Sequence, residues 1–295
     1  MVARAGGAHR HRDTTETRRT DMDTTVPTTT PQEIAPDTFL IPNLAPGGPG
    51  AFVPVNSLVI RGTEPVIVDT GAPMHHDEWI EKVFSVVEPD DVRWIFLSHD
   101  DGDHTGGLLD ALELCRNATL VTNFFSVERL ALEKPALPLE RMRWIEPGGS
   151  FDAGDRTLHL FRPPIFDGPT TRGVYDSKTA AMWIVDTFAC FVPGAVYDVH
   201  DVPREMVEES MPMFNSMVSP WHQWLDAEAY RRHVDDIEAM GVLTVASAHG
   251  PVLTGDAIHE SFEVIRGLAG RPNILGPGPE VLDELVAEIL AGQAA

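Results

Sequence analysis

The chain has 295 residues, 43% of them hydrophobic, and a formal net charge of −23 at pH 7. This length and composition allow one large hydrophobic core. Nucleic-acid binding depends on Lys and Arg that neutralise phosphates, so an excess of 45 acidic over 22 basic residues argues against a nucleic-acid partner. The charge also argues against an anionic membrane partner, and no run of about 18 apolar residues is present to cross a membrane.

The first 32 residues are rich in Thr, Pro and charged side chains. Such a segment buries too little apolar surface to offset its chain entropy, so residues 1–32 are predicted to be a disordered tail. Residues 33–295 are predicted to form the folded, metal-binding domain. The two cysteines, Cys115 and Cys190, make no secreted disulfide framework. This favours a cytoplasmic protein with reduced, buried thiols.

Short apolar runs alternate with helical patterns in the first half of the domain. Strands are predicted at 56–62, 65–71, 92–98 and 118–123, and helices at 77–87 (with Asp77 as N-cap), 106–115 and 125–132. The second half has predicted strands at 142–148, 156–164, 180–186 and 242–250, and helices at 203–214, 226–241 and 279–292. This order indicates an α/β protein in which two sheets pack together with helices outside.

Residues that can bind metal ions follow several of the predicted strands. The densest group is 97-LSHDDGDHTGGL-108, directly after the strand at 92–98. Strand ends on a rigid sheet can direct such side chains into one site. The complete candidate set is His99, Asp101, Asp103, His104, Asp167, Asp186 and His249. Seven ligands are too many for one ion and suit two ions that share one carboxylate.

The cluster resembles the HxHxDH signature of the metallo-β-lactamase superfamily, with Asp101 in place of the second histidine. That replacement is similar to the HxExDH form of flavodiiron proteins. Three further stretches resemble family motifs, with Asp167 where the family has histidine: 164-PIFDGP-169, 185-VDTF-188 and 248-AHGPVL-253. The resemblance covers residues 33–255. It implies a metallo-β-lactamase-like αββα four-layer sandwich, without the flavodoxin domain that flavodiiron proteins carry after it.

The resemblance also implies two groups of metal ligands with Asp186 as a bridge between them. The first group would be His99, Asp101 and Asp167. The second group would be Asp103, His104 and His249. Four carboxylates and three neutral imidazoles balance two divalent ions, and carboxylate-rich sites suit iron or manganese better than zinc. Iron is therefore the favoured metal, with manganese and zinc as alternatives, and no other bound cofactor is expected.

Three functions are compatible with such a site. The favoured hypothesis is a di-iron oxidoreductase or oxygenase that reacts with dioxygen or nitric oxide and receives electrons from a separate donor protein. The first alternative is a metal-dependent hydrolase of an ester, thioester, lactone or amide, in which Asp103 would be catalytic by orienting or deprotonating the nucleophilic hydroxide. The second alternative is a non-catalytic di-iron sensor of oxygen or nitric oxide.

The segment 211-MPMFNSMVSPWHQW-224 offers an apolar pocket wall for a gas or a small apolar substrate. Most of its apolar residues are expected in the core. His222 is either a surface residue or, in the redox hypothesis, a proton donor. A homodimer is left open by the sequence.

Overall fold

The computed structural model describes residues 25–134 and 136–293. Residues 1–24, most of the predicted tail, lie outside the described residues. In the remaining part of that tail, the hydroxyl of buried Thr29 donates a hydrogen bond to the carbonyl oxygen of Pro42, 2.6 Å away. The ammonium group of Lys82 donates to the same carbonyl at 2.6 Å. The chain is therefore attached to the domain from Thr29 onward.

The described residues form fifteen strands and eight α-helices. The strands are β1 (Gln32–Ala35), β2 (Thr38–Ile41), β3 (Leu44–Gly48), β4 (Ala51–Pro54), β5 (Ser57–Ile60), β6 (Val66–Val68), β7 (Trp94–Phe96), β8 (Thr119–Thr122), β9 (Met142–Trp144), β10 (Ser150–Asp152), β11 (Thr157–Phe161), β12 (Gly173–Asp176), β13 (Ala181–Trp183), β14 (Thr244–Ala246) and β15 (Leu253–Thr254). The helices are α1 (His76–Val86), α2 (Gly102–Thr105), α3 (Leu108–Leu114), α4 (Phe124–Glu133), α5 (Arg204–Val218), α6 (Ala227–Glu238), α7 (Asp256–Arg266) and α8 (Pro279–Gln293).

The strands form two mixed sheets and one separate hairpin. The first sheet has seven strands in the order β1-β2-β5-β6-β7-β8-β9, and the second has six in the order β10-β11-β12-β13-β14-β15. Strands β6 to β9 run parallel to one another, as do β13 and β14. The β3–β4 hairpin is antiparallel and lies outside both sheets.

Three apolar clusters define the layers of the fold. One cluster lies between the sheets and joins residues such as Val68 and Phe96 of the first sheet to Trp183 of the second. A second cluster packs the outer face of the first sheet against α1 and α3. A third packs the outer face of the second sheet against α5, α6 and α7. The layers therefore run helix, sheet, sheet, helix, and the predicted α/β sandwich is confirmed.

The candidate ligands follow strands that end at corresponding points in the two sheets. His99 lies three residues after the end of β7, Asp186 three residues after β13, and His249 three residues after β14. Because β7 belongs to the first sheet and β13 and β14 to the second, side chains from both sheets reach the same region.

The backbone just before Asp186 adopts an unusual conformation. Val185 has a φ of 59°, in the left-handed region that β-branched residues rarely adopt. Its carbonyl oxygen accepts hydrogen bonds from the Ala248 backbone N–H at 2.7 Å and from the Ser247 hydroxyl at 2.9 Å. These bonds from the segment after β14 hold the turn that directs Asp186 towards the site.

Two details of the predicted elements are corrected. Helix α1 begins at His76 with His75 as its N-cap, so the prediction that Asp77 caps it is wrong. The helix predicted over 106–115 is α3, which begins later, at Leu108, because Gly106 and Gly107 separate it from the short helix α2, which was not predicted. A Cβ at Gly106 would lie 2.4 Å from the backbone of Pro73, so only glycine permits this close approach.

The state of the cysteines agrees with the prediction, whereas several elements were not predicted. Cys115 and Cys190 are both free and buried, as expected. In the described ranges, no helix is both long and apolar enough to cross a bilayer. The prediction lacks the helices α2 and α7 and the strands β1 to β4, β10, β12 and β15.

Candidate metal centre

His99, Asp101 and Asp167 converge at the edge of the two sheets. The Nε2 atom of His99 lies 2.9 Å from Oδ1 of Asp167 and 3.2 Å from Oδ2 of Asp101. This buried nitrogen has no hydrogen-bond partner among the described residues. One ligand atom from each of the three residues lies within 4.8 Å of the others. This spacing suits a single cation between them.

A second group contains Asp103, His104 and His249, with Asp186 beside it. The Nε2 atom of His249 lies 3.0 Å from Oδ2 of Asp103. Oδ1 of Asp186 lies 3.1 Å from Nε2 of His104 and 3.3 Å from Nε2 of His249. The other oxygen of Asp186 is buried and has no hydrogen-bond partner among the described residues. A metal ion would satisfy such an oxygen.

The two groups form one continuous site. The rings of His99 and His104 have centroids 5.3 Å apart, and those of His104 and His249 are 5.8 Å apart. All seven predicted residues line a single cavity of about 230 Å³. The structure thus brings the whole predicted set together, while the metal-binding roles and the catalytic role of Asp103 stay predictions.

Neighbouring charges fix the protonation of the cluster. Burial lowers the pKa of His99, but the carboxylates of Asp101 and Asp167 outweigh burial and raise this pKa to about 10. Burial acts the same way on His249, and its carboxylate neighbours raise its pKa to about 10. For Asp186, burial is outweighed by the adjacent histidines, which hold its pKa well below the usual range. A bound cation would take the place of the ring protons in this network.

The second nitrogen of each site histidine is held by a group outside the cavity. Nδ1 of His249 lies 2.9 Å from the Pro54 carbonyl oxygen. Because a carbonyl only accepts, this nitrogen carries the proton, and Nε2 of the neutral ring is left as a metal ligand. Nδ1 of His104 lies 3.0 Å from a carboxylate oxygen of Asp69, which selects the same tautomer.

His99 is held by two hydroxyl groups from the loop that carries Asp167. The Oγ1 atoms of Thr170 and Thr171 each lie 3.2 Å from its Nδ1. Thr170 also donates a 2.6 Å hydrogen bond to the buried carboxylate of Asp100. Neither threonine was predicted, since a hydroxyl three or four positions after the candidate ligand Asp167 has no distinguishing pattern.

Arg129 and Asp100 are further residues at the site that the sequence did not reveal. Arg129 lies on α4 and forms an ion pair with Asp100 at 3.1 Å. Asp100 stands in the densest part of the motif, and its side chain is only 1% exposed. The sequence did offer one signal for Asp100, its position between the candidate ligands His99 and Asp101. Arg129 is 29 residues beyond Asp100 in the chain, and the pattern of a single sequence does not reveal such distant contacts.

The opposite wall of the cavity is apolar. It is formed by Val53, Ala189, Phe214 and Val218. Within the segment 211–224, two residues therefore line the cavity, whereas Met211 is buried in the cluster behind the second sheet.

His222 has neither of the two positions considered for it. It is fully buried, so the expectation of a surface residue is wrong. Its ring contacts the Ser216 hydroxyl at 2.9 Å and the Leu268 carbonyl oxygen at 3.0 Å, and it does not line the cavity. It joins α5 to the segment after α7 and is not placed to donate a proton at the site.

Comparisons with known proteins agree with this architecture. A putative diflavin flavoprotein A 1 from Nostoc sp. is 26% identical over 202 residues, which cover 67% of this chain and 33% of that protein. The solved structure of rubredoxin oxygen:oxidoreductase from Desulfovibrio gigas matches with a TM-score of 0.69 and 14% identity, over 81% of this chain and 61% of that one. The flavodiiron protein from Giardia intestinalis matches with a TM-score of 0.66 and 19% identity, over 82% and 59%.

These likenesses confirm the metallo-β-lactamase-like fold and the resemblance to the di-iron domain of flavodiiron proteins. The chain spans only about a third to a half of the length of the curated relatives that it matches. A family model described as "ODP family beta lactamase" matches residues 53–250, about two thirds of the chain, and this range contains all seven candidate ligands. The chain therefore belongs to the ODP family of beta lactamases.

Proposed function

We propose that this chain is a dinuclear metalloenzyme that holds two iron ions and reduces or activates dioxygen or nitric oxide. The observation that carries the proposal is the convergence of four carboxylates and three imidazoles on one cavity. Such an oxygen-rich donor set suits iron or manganese better than zinc. The names of the structural neighbours, a rubredoxin oxygen:oxidoreductase and a flavodiiron protein, support the same chemistry.

The residues present fit a pair of metal ions. Two of the buried atoms that lack a hydrogen bond, Nε2 of His99 and Oδ2 of Asp186, belong to residues that line the cavity. In our proposal, the His99 group would hold one ion and the group of Asp103, His104 and His249 the other, and Asp186 would be a shared ligand. When bound, an iron pair would supply the reversible one-electron steps that reduction of these gases requires.

The chain itself would select and orient the ligand. The apolar side chains of Val53, Phe214 and Val218 face the carboxylate-rich side of the cavity. An apolar wall favours an uncharged gas over a hydrated anion, because burying an ion there costs its hydration. The seven site residues supply no electrons, so the proposal includes a separate donor protein.

The proposal is tested by purifying the protein without oxygen or added metal and measuring its metal content by mass spectrometry. We expect about two iron ions per chain, and consumption of dioxygen or nitric oxide when a chemical reductant is supplied. An Asp186→Asn variant should lose metal and gas consumption. An Asp176→Asn variant should retain both, because Asp176 is equally buried but bonds Arg156 away from the cavity.

The opposite results identify the alternatives. Two zinc ions per chain, with hydrolysis of a test ester, thioester or lactone and no gas consumption, would replace the proposal with a metallo-hydrolase. Two iron ions that bind dioxygen or nitric oxide without turnover would point instead to a gas sensor.

A further inference from the structure

Arg129 reaches from helix α4 to the loop that carries His99. Its Nε lies 3.1 Å from Oδ2 of Asp100, and its Nη2 donates a hydrogen bond of 3.5 Å to Oδ1 of Asp101. One guanidinium group therefore contacts two consecutive carboxylates. A planar guanidinium can hold both at once, whereas an ammonium group is a single point charge.

Asp100 provides a fixed anchor for this guanidinium. Its side chain is 1% exposed, and its Oδ1 accepts a 2.6 Å hydrogen bond from Thr170. Its Oδ2 is buried and makes no hydrogen bond, so the ion pair with Arg129 is what compensates this oxygen. A buried carboxylate that lost this cation would be strongly destabilised. The burial of Asp100 and its bond to Thr170 therefore fix the position of the Asp100–Arg129 contact.

Asp101, in contrast, is the most exposed of the candidate ligands. Its side chain is 45% exposed, compared with 32% for Asp167 and 6% for Asp186. Its contacts are Nε2 of His99 at 3.2 Å and Arg129. An exposed aspartate that reaches solvent has several rotamers available, and ordering it costs entropy. Something must hold this carboxylate towards the cavity.

The guanidinium also lies beside the loop of the third ligand in this group. A Cβ placed on Gly168, the neighbour of Asp167, would lie 3.5 Å from Cε1 of His99 and 3.7 Å from Nη1 of Arg129. The cation is thus packed near all three members of the His99 group while it contacts only Asp101 directly.

We propose that Arg129 is a positioning residue that holds Asp101 in the orientation required of a metal ligand, using buried Asp100 as its anchor. The inference rests on the proposed dinuclear site. The inference is testable because it predicts a change in metal affinity opposite in sign to the change that charge alone would cause. By charge alone, a cation close to the site repels metal ions, so removing it should tighten binding at both positions. If Arg129 acts by positioning, removing it should weaken one position only.

The test is equilibrium dialysis of the metal-free protein against ferrous iron without oxygen, which gives the affinity of each binding step. In Arg129→Met we expect one step to weaken by about tenfold and the other to stay within about twofold, in line with the usual effect of residues that orient ligands. The iron affinity of Arg129→Lys should lie between those of Arg129→Met and wild type, since lysine retains the positive charge but lacks the planar guanidinium that contacts both carboxylates. Thermal melting checks that each variant is folded.

Two further variants separate positioning from general effects. Arg266→Met removes a guanidinium that pairs with Asp235 at 2.8 Å and with two glutamates on the outer helices, and it should leave both steps unchanged. In an Asp101→Ala background, Arg129→Met should have no further effect on iron binding, because the carboxylate through which it acts is gone.

Each outcome is decisive. Tighter or unchanged binding of both ions in Arg129→Met would overturn the inference and leave the proposed function standing. The same loss in the Asp101→Ala background would also overturn it, since Arg129 would then act by another route. If wild type binds fewer than two ferrous ions, the proposed dinuclear site fails and this inference fails with it.

Discussion

Replacing Asp69 by Asn should weaken metal binding although Asp69 does not line the cavity. Its carboxylate is fully buried and accepts four hydrogen bonds. One oxygen accepts from the Ser98 backbone N–H at 2.7 Å. The other accepts from the Ser98 hydroxyl, from His104 Nδ1 at 3.0 Å and from Trp183 Nε1 at 3.1 Å. Asparagine has a single accepting oxygen and cannot satisfy both sides.

Either orientation of the new amide has a cost. With its oxygen towards His104, the amide NH₂ faces the Ser98 N–H, and an unsatisfied buried donor costs about 1–3 kcal/mol. With its NH₂ towards His104, the ring must accept at Nδ1 and carry its proton on Nε2, the atom 3.1 Å from Asp186. That tautomer cannot bind a metal through Nε2. We therefore expect metal affinity to fall by about 10- to 100-fold.

A chelator-competition titration with ferrous iron measures this loss. Asp176→Asn is the matched control, because Asp176 is also buried and accepts three hydrogen bonds, from Arg156, Lys178 and Thr179. Both variants should melt at lower temperature than wild type, but only Asp69→Asn should release iron more readily. Wild-type iron affinity in Asp69→Asn, alongside a destabilised Asp176→Asn, would refute the tautomer argument.

Three other outcomes are expected. Asn123→Ala should cost about 2 kcal/mol in urea unfolding, because the buried amide caps α4 through the Ser126 N–H at 2.8 Å and donates to the Thr170 carbonyl at 3.1 Å; a loss under about 0.5 kcal/mol would contradict this. Hydrogen bonds from Arg156 and Lys178 lower the pKa of Asp155 in the folded state. The ionised carboxylate therefore stabilises the fold fully above the pKa of Asp155 in the unfolded chain, about 4, and this stabilisation is lost as the pH falls below that value. The melting temperature of Asp155→Asn should accordingly lie below that of wild type at pH 7, with a gap that narrows below about pH 4; a constant gap would argue against the linkage. Stripping bound metal should lower the melting temperature, and ferrous iron at about a thousandfold its dissociation constant should restore about 4 kcal/mol; no shift would mean that the folded state does not bind the ion preferentially.

The sequence predicted the architecture because its strongest signals are extended apolar patterns. Buried strands such as β7 lie within longer apolar runs, here 92–98, and amphipathic helices such as α1 repeat their apolar positions at helical spacing. The order of these elements indicates two sheets between helices. Short elements lack that signal. β15 has two residues and β10 three, so their pairing depends on neighbouring strands and not on their own pattern.

The candidate ligands could be found from sequence because they are chemically distinctive residues placed directly after apolar strands. Several of the residues that support them could not. Thr170 and Arg129 act through geometry that only the folded chain provides, and each type is common on protein surfaces. His222 shows the reverse case, since its place in an apolar segment suggested a role that its buried contacts with Ser216 and Leu268 rule out.

The constant interval between strand and ligand restricts how related chains can vary in length. His99, Asp186 and His249 each lie three residues beyond the last residue of a strand, and Val185 reaches its place only through a left-handed turn. Inserting or deleting one residue in these intervals would rotate the following side chain away from the others, as a register slip does within a strand. Natural insertions and deletions should therefore be excluded from these three intervals and accumulate in connections on other faces of the domain.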